Sequence, residues 1–600
     1  MRSMCRAFAV GATLSLVMLV FAGPALGAHK PGHHKPKADT VYLNGNIYTV
    51  DKHFNRAQAM AVQGDRFLAV GKNKDVQKYI GRDTTIINLK GKTVFPGLWD
   101  AHLHFSGVGS SRQILDLNGL SKEAIVAKVK AAADAAQPDE WIQGGGWNQT
   151  LWDPPVMPTA ADLDAVSPNN PVRLGRTDGH ATWVNSVVLG MSTIPAPGVA
   201  TPGGEIFRYP DGTPTGVFVD TAQSFAKSAP PSTESQVHQS YLLAQDYLFS
   251  LGNTSVCDMG AAVSHIDRMK TMYEAGEMKI RVNEYVTYGS GPTFYDQPAS
   301  ERIGLFGNRY TINGIKISID GALGSYGAYL MEPYSDRTDG WRGSIRVGNP
   351  YYDASGNVTT TPDIPQIVEH IAPIYEEAVK HGFQVASHAI GDATNRAVLG
   401  IAEKVERDLP KLTRDPRFRD EHAQIVAVED IPRFAQLHVI PSMQAQHATQ
   451  DLTMAESRVG PVRILGAYAW RSFIDSGSVI ADGSDASVEV PNPWWGLFSA
   501  VTRINKNGYN NGEPWYPQQC MTREEALRSF TIWSAYAAFA TDKRGSIEND
   551  KLADFVIVGY PQAGEDYMTM PAWDIWQMQS NMTVVGGETV YTAPGFDILQ

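Results

Sequence analysis

The sequence predicts an α/β fold: a TIM-type (β/α)8 barrel with an insertion after its first strand, joined to a small β-sandwich built from both chain ends. Three observations carry this. The middle of the chain alternates apolar strand-like runs with helical patterns, the mark of a parallel sheet covered by helices. Both ends read as short strands and turns. Between residues 138 and 230 the rhythm breaks into glycine- and proline-rich sequence.

The β-rich ends come first. Val41-Tyr42-Leu43 runs into Asn44-Gly45, a hairpin signal. Ala59–Val62 and Phe67–Val70 flank Gly64-Asp65 in the same way. Near the C-terminus, Asp554–Val558, Thr583–Val585 and Thr589–Tyr591 look alike. The expected sandwich therefore takes residues 40–93 and 545–600, and the barrel takes 94–544. Barrel strands are expected at Thr254–Cys257, Ile280–Val286, Thr311–Ser318, Phe383–Ala386, Val439–Met443 and Ser478–Ala481. Helices are expected at Lys122–Ala135, Glu234–Phe249, Ile364–His381 and Arg523–Phe539. With about 450 residues in the middle, a barrel with insertions fits best. Insertions at the catalytic face of such barrels shape the pocket.

Residues 1–27 read as a secretory signal. Arg2 and Arg6 precede an apolar run from Ala7 to Ala22, and Ala25-Leu26-Gly27 offers small residues for cleavage. Residues 28–39 are a leader, and a periplasmic or secreted protein is expected, with no membrane association after signal removal. Losing Arg2 and Arg6 takes the formal charge from −12 to −14. An acidic chain without a basic tract is not expected to bind nucleic acid. Cys257 and Cys520 alone survive maturation, which excludes a disulfide framework and a thiolate metal site. One bridge between them, or two separate thiols, both remain open. No phosphate loop and no Gly-x-Ser-x-Gly elbow occur.

The chemistry concentrates in His102-Leu103-His104. Residues two apart on a strand point the same way, so this pair can grip one metal. A lone His-x-His is more commonly two core or surface histidines. Its company decides: Ser387-His388-Ala389, Glu421-His422-Ala423 and Asp482-Gly483-Ser484-Asp485 each end a strand-like run. Barrel strand C-termini converge on one face, and imidazoles with a carboxylate suit zinc.

These motifs, with Gly314-Ile315-Lys316-Ile317-Ser318-Ile319-Asp320-Gly321-Ala322-Leu323-Gly324-Ser325, Glu332-Pro333-Tyr334-Ser335-Asp336 and Lys551–Val556, resemble the amidohydrolase superfamily in its amidohydrolase-3, YtcJ-like branch. The resemblance spans residues 40–595. It implies two divalent metal ions, zinc by preference. His102 and His104 would hold the more buried metal. Lys316, carboxylated by carbon dioxide to a carbamate, would bridge both. His388 and His422 would hold the second, and Asp485 would ligate the first and serve as acid and base. The implied activity is hydrolysis of a C–N bond of an N-acyl or N-substituted amide through a metal-bridging hydroxide. Deformylation of N-substituted formamides is one activity of this branch. Ester, lactone or phosphotriester hydrolysis on the same site is the alternative reaction, and a non-catalytic binding protein the alternative class.

Around the metals, the resemblance offers His180 as an oxyanion donor or substrate contact. Trp147 and Trp152 are candidates for an aromatic wall, His447 for a substrate contact, and Asp100 for orienting a metal-binding histidine. Tyr326 stands where many relatives carry arginine, and Ala445 and Ser487 where proline is expected; all three border the expected pocket. His265, His370, His381 and His438 are assigned no function. The partner implied is a small-molecule substrate, and a homodimer is permitted.

Overall fold

The structure is a computed structural model that describes residues 36–598, apart from 150–151, 155, 177–180, 200–203, 325, 348–350, 354, 360 and 563. The signal segment 1–27, most of the leader and His180 lie outside the described residues.

Eight parallel strands form the barrel: β1 Leu98–Leu103, β2 Asn253–Ala261, β3 Arg281–Thr287, β4 Tyr310–Ser318, β5 Gln384–Ala389, β6 Arg419–His422, β7 Ile440–Met443 and β8 Ala481–Asp482. Each pairs with the next in chain order. A parallel bridge from Leu103 to Ala486 joins the ends of β1 and β8. The strands are buried along almost their whole length, as a sheet lined by side chains within and helices without requires.

Helices return the chain between strands. Glu234–Ser250 starts at Thr233, whose hydroxyl accepts from Gln236 N while Gln236 accepts from Thr233 N, a reciprocal cap. Asp363 caps Ile364–Lys380 through Gln366 N. The helix expected over Arg523–Phe539 is two, Arg523–Ser529 and Ile532–Ala537. Thr531 between them has ψ −99°, outside the helical range.

The chain ends combine as expected in kind. Strands 66–71, 59–63, 40–43 and 85–88 form one sheet. Strands 588–592, 579–585, 555–559, 93–96, 46–48 and 56–57 form the other. Tyr42, Ile47, Phe67, Val94, Phe555 and Val584 pack in one apolar cluster drawn from both. Gly64, at φ +57°, turns a true hairpin between Ala59–Gln63 and Arg66–Gly71. Asn44-Gly45 does not: Thr40–Leu43 and Asn46–Tyr48 enter different sheets, so this turn carries the chain across the sandwich. Phe555 pairs with Pro96 across the two ends. Arg281 at the start of β3 grips Asp554 with two hydrogen bonds of 2.7 and 2.8 Å, tying barrel to sandwich.

The glycine-rich stretch is itself a sheet. Strands 204–208, 214–220, 181–184, 172–176, 142–147 and 115–116 lie in that order. Helix Lys122–Ala135 sends Ile125 and Val129 into the same core as Trp147 and Trp183. This unit therefore begins at Leu115, well before Pro138.

Candidate metal centre

The strand ends converge at one mouth. His102 lies on β1 and His104 just beyond it; Lys316 lies on β4, His388 on β5, His422 on β6, and Asp485 follows β8. Asp485 Oδ1 is 3.2 Å from His104 Nε2 and 3.5 Å from His102 Nε2. The rings of His102 and His422 are 4.9 Å apart, and those of His388 and His422 4.6 Å. His447 stacks on His422 at 5.9 Å, with Nε2 3.8 Å from Asp485 Oδ2. His102, His104 and Asp485 form one group able to hold a cation; His422, His447 and Asp485 form another. The structure thus brings together the whole predicted ligand set and adds His447 at its edge.

The backbone is unusual at two of these positions. His422 has φ +83° and Asp485 φ +57°, conformations that non-glycine residues seldom adopt and that functional sites concentrate. Asp485 is pinned there by its N–H donating to His102 O at 2.6 Å, beside a 2.6 Å bond from His104 N to Ala486 O.

Buried polar atoms test whether metal fits. Lys316 Nζ, His388 Nε2 and His447 Nε2 are sealed from solvent and have no hydrogen-bond partner among the described residues. Unpartnered polar atoms in a dry site are costly. Cations at the strand ends would account for the two imidazole nitrogens through their lone pairs, and for Lys316 once it is carboxylated. Burial drives the imidazoles neutral, His102 to about 4 and His388 to about 3, the form in which they ligate. Burial also lowers Lys316 to about 8, exposing the neutral amine that a carbamate needs.

A layer beneath holds these ligands in place. His102 Nδ1 bonds Glu421 Oε2 at 2.6 Å, which presents Nε2 to the mouth. Burial would raise Glu421, but Arg419 and His102 override it and hold the carboxylate well below its usual range. Arg419 binds Glu421 at 2.6 Å, Ala101 O at 2.7 Å, Ser442 Oγ at 2.8 Å and the Tyr285 hydroxyl at 3.1 Å. His422 Nδ1 bonds Gln444 Oε1 at 2.7 Å. Asp100 is placed differently from expectation. It accepts from His102 N at 3.1 Å and from Ser484 N and Oγ at 3.0 and 2.6 Å. It therefore fixes the backbone linking β1 to the Asp485 loop, while the imidazole is oriented by Glu421. Burial raises Asp100 to about 7.

The expected aromatic wall is corrected. Trp147 is fully buried and Trp152 nearly so. They pack with Trp183 at ring separations of 6.2–6.3 Å, and their indole N–H groups donate to Leu174 O and Leu120 O. With faces and N–H groups consumed inside the insertion core, they offer a substrate nothing. Tyr326 lies between the guanidinium groups of Arg458 and Arg337, 3.9 and 5.0 Å from its ring, and its hydroxyl donates to Asp336. Those contacts anchor the loop after β4. Cys257 and Cys520 are both free thiols; Cys257 Sγ lies 3.4 Å from Arg419.

Sequence reasoning missed Glu421, Gln444 and a group of Asp258, His265 and Glu284. Glu421 was signalled by its place beside His422. The others depend on strand register.

Comparison with known proteins identifies the family. The model of the amidohydrolase family matches residues 85–591. Protein LONG AFTER FAR-RED 3 of Arabidopsis thaliana is 32% identical, covering 92% of each chain. The N-substituted formamide deformylase of Arthrobacter pascens is 26% identical over 93% of this chain and 99% of its own. Among solved structures, an uncharacterized metal-dependent hydrolase from Pyrococcus horikoshii superposes with a TM-score of 0.68 at 24% identity, covering 89% of this chain and 99% of that one. A family model matched from the sandwich through the barrel, over a mouth of converging side chains able to hold cations, leads to one conclusion: the chain belongs to the amidohydrolase family of metal-dependent hydrolases.

Proposed function

We propose that the protein hydrolyses a C–N bond in an N-acyl or N-substituted amide, using two divalent cations at the barrel mouth. The observation that carries this is Lys316: a lysine sealed on β4 with its Nζ unpartnered, among His102, His388, His422 and Asp485. An ordinary structural lysine would be ion-paired. In this reading His102, His104 and Asp485 would hold one cation, His388 and His422 would hold the other, and Lys316, as its carbamate, would serve both. Bound divalent cations supply Lewis acidity, polarising a carbonyl and acidifying water.

The chain's own groups do the rest. Asp485, buried yet held well below the usual carboxylate range by its contacts with His102 and His104, accepts the proton released by the attacking water and returns it to the leaving nitrogen. Glu421 and Gln444 fix the rings of His102 and His422, so the proton acceptor faces a rigid set of neighbours. His447, unpartnered at Nε2 and 3.8 Å from Asp485, is positioned to contact the substrate. The C–N assignment is supported by the deformylase relative. The apolar segment 7–22 and its small-residue boundary support export to the periplasm or medium.

Purified protein screened against amides, N-substituted formamides, esters and lactones, with metal analysis, tests the reading. Turnover of an amide with at least two equivalents of metal is expected. Turnover confined to esters or lactones rejects the C–N assignment, and stoichiometric metal without any turnover favours a binding protein. Asp485→Asn should lower kcat by about 10²–10⁴-fold, the range for a lost general base, while most metal stays bound. Full activity in that variant removes its proton-transfer role.

A further inference from the structure

A second histidine–carboxylate cluster stands beside the first. Asp258 near the end of β2 and Glu284 on β3 are both buried. His265, on the helix Val263–Glu274 that follows β2, turns back over them. Its Nε2 lies 3.0 Å from Asp258 Oδ2 and 3.5 Å from Glu284 Oε2. Two ligands each about 2.1 Å from one cation, at 90–110° to each other, sit roughly 3.0–3.4 Å apart, which these separations match.

An ion-paired imidazolium is the competing account, and the geometry disfavours it. Nε2 approaches Asp258 without the alignment of a hydrogen bond, and both Nε2 and Glu284 Oε1 are buried with no hydrogen-bond partner among the described residues. Without a cation, burial and the neighbouring Asp258 raise Glu284 to about 7, and the two carboxylates, against burial, raise His265 well above the usual imidazole range; a dication would displace those protons. Arg268, which lines the same cavity, is engaged with Glu234 at 2.8 Å.

Neighbouring groups hold the three residues in place. Phe105 N–H donates to Asp258 Oδ1 at 3.0 Å, and the Tyr310 hydroxyl donates to Glu284 Oε2 at 2.8 Å. Tyr241 OH meets His265 Nδ1 at 2.6 Å. A partner on Nδ1 leaves Nε2 free to ligate, the arrangement seen around metal-binding histidines. The cluster opens on a cavity of about 290 Å³ lined also by His104, Tyr241 and Arg268, which gives an ion an entry path.

We propose that Asp258, His265 and Glu284 form a further divalent transition-metal site, separate from the Lys316 centre and sharing a cavity wall with it through His104. One neutral imidazole and two carboxylates suit zinc or manganese, and a dication would cancel their charge.

The test is metal content by plasma mass spectrometry on the full-length protein equilibrated with zinc, comparing wild type with His265→Ala and the isosteric Asp258→Asn. Each variant is expected to carry one equivalent less than wild type. The same one-equivalent loss is expected when His265→Ala is placed in an Asp485→Ala background, whatever metal the main centre retains, so this site is read independently of the proposed reaction. Equal metal content in wild type and both variants overturns the proposal. Loss of all bound metal from both variants overturns it too, since the three residues would then only support the main centre.

Discussion

The barrel mouth and the layer beneath it are both built from buried polar side chains, with opposite hydrogen-bond outcomes. At the mouth, Lys316, His388 and His447 hold buried polar atoms without partners. Just below, Arg419 meets Glu421, Ala101 O, Ser442 and Tyr285, and Glu421 meets His102. Buried polar groups are normally satisfied. The difference separates atoms kept free for a ligand from atoms spent on holding a shape. Mutations on the two sides should therefore fail in different ways.

The largest effect belongs to the mouth. Lys316→Ala should lower kcat/KM by about 10³-fold or more, beyond the ten- to hundred-fold typical of an outer ligand-orienting partner, with little change in folding. Added formate or propionate, supplying the missing carboxylate, should restore part of the activity. Unchanged two-metal occupancy in the variant breaks the comparison, because Lys316 would then be no ligand.

Below the mouth the loss should appear as stability. Arg419→Met strands Glu421 in the interior, and breaking one side of a buried pair costs about 3–5 kcal/mol. Urea denaturation reads it. An unaltered midpoint would mean that Arg419 is not what neutralises Glu421.

A pH experiment sharpens the mouth further. Burial lowers Lys316 to about 8, so its ammonium form dominates below pH 8 and the reactive neutral amine above. Reconstitution of metal-stripped protein with zinc, with dissolved carbon dioxide held at the same concentration at every pH, should speed up about ten-fold from pH 7 to pH 9 and then level off. A rate flat across that range removes the neutral lysine from the path.

The smallest effect tests the corrected wall. Trp147→Phe removes the bond to Leu174 O and some volume, costing about 1–2 kcal/mol. KM should not move; a several-fold rise in KM would return Trp147 to the substrate pocket.

What the sequence disclosed follows from where each signal resides. His102, His104, His388, His422 and Asp485 end strands whose apolar runs are visible locally, so their convergence follows from the barrel rule alone. Glu421 bonds a residue 319 positions away, and Asp258, Glu284 and His265 meet through the pairing of β2 with β3. Such contacts depend on register, which no local pattern states. Trp147 misled because Gly144-Gly145-Gly146 looks like loop; it is a strand, and Gly146 at φ +103° lies against Asn118 where a side chain would collide. Asn44-Gly45 misled in the opposite way, having turn chemistry but no hairpin.

The pairing of Phe555–Gly559 with Thr93–Pro96 has a consequence in the order of synthesis. Strand 93–96 leads through Gly97 straight into β1, and Gly97 N donates to Asp554 O at 2.9 Å. The ribosome therefore makes the strand bearing His102 and His104 more than 400 residues before the segment that clamps its entrance. Domains tend to fold as units while the chain emerges, yet this metal centre has no finished foundation until translation is nearly over. Through most of synthesis the two histidines follow a strand whose entrance is still unclamped, so the finished mouth belongs to the complete chain.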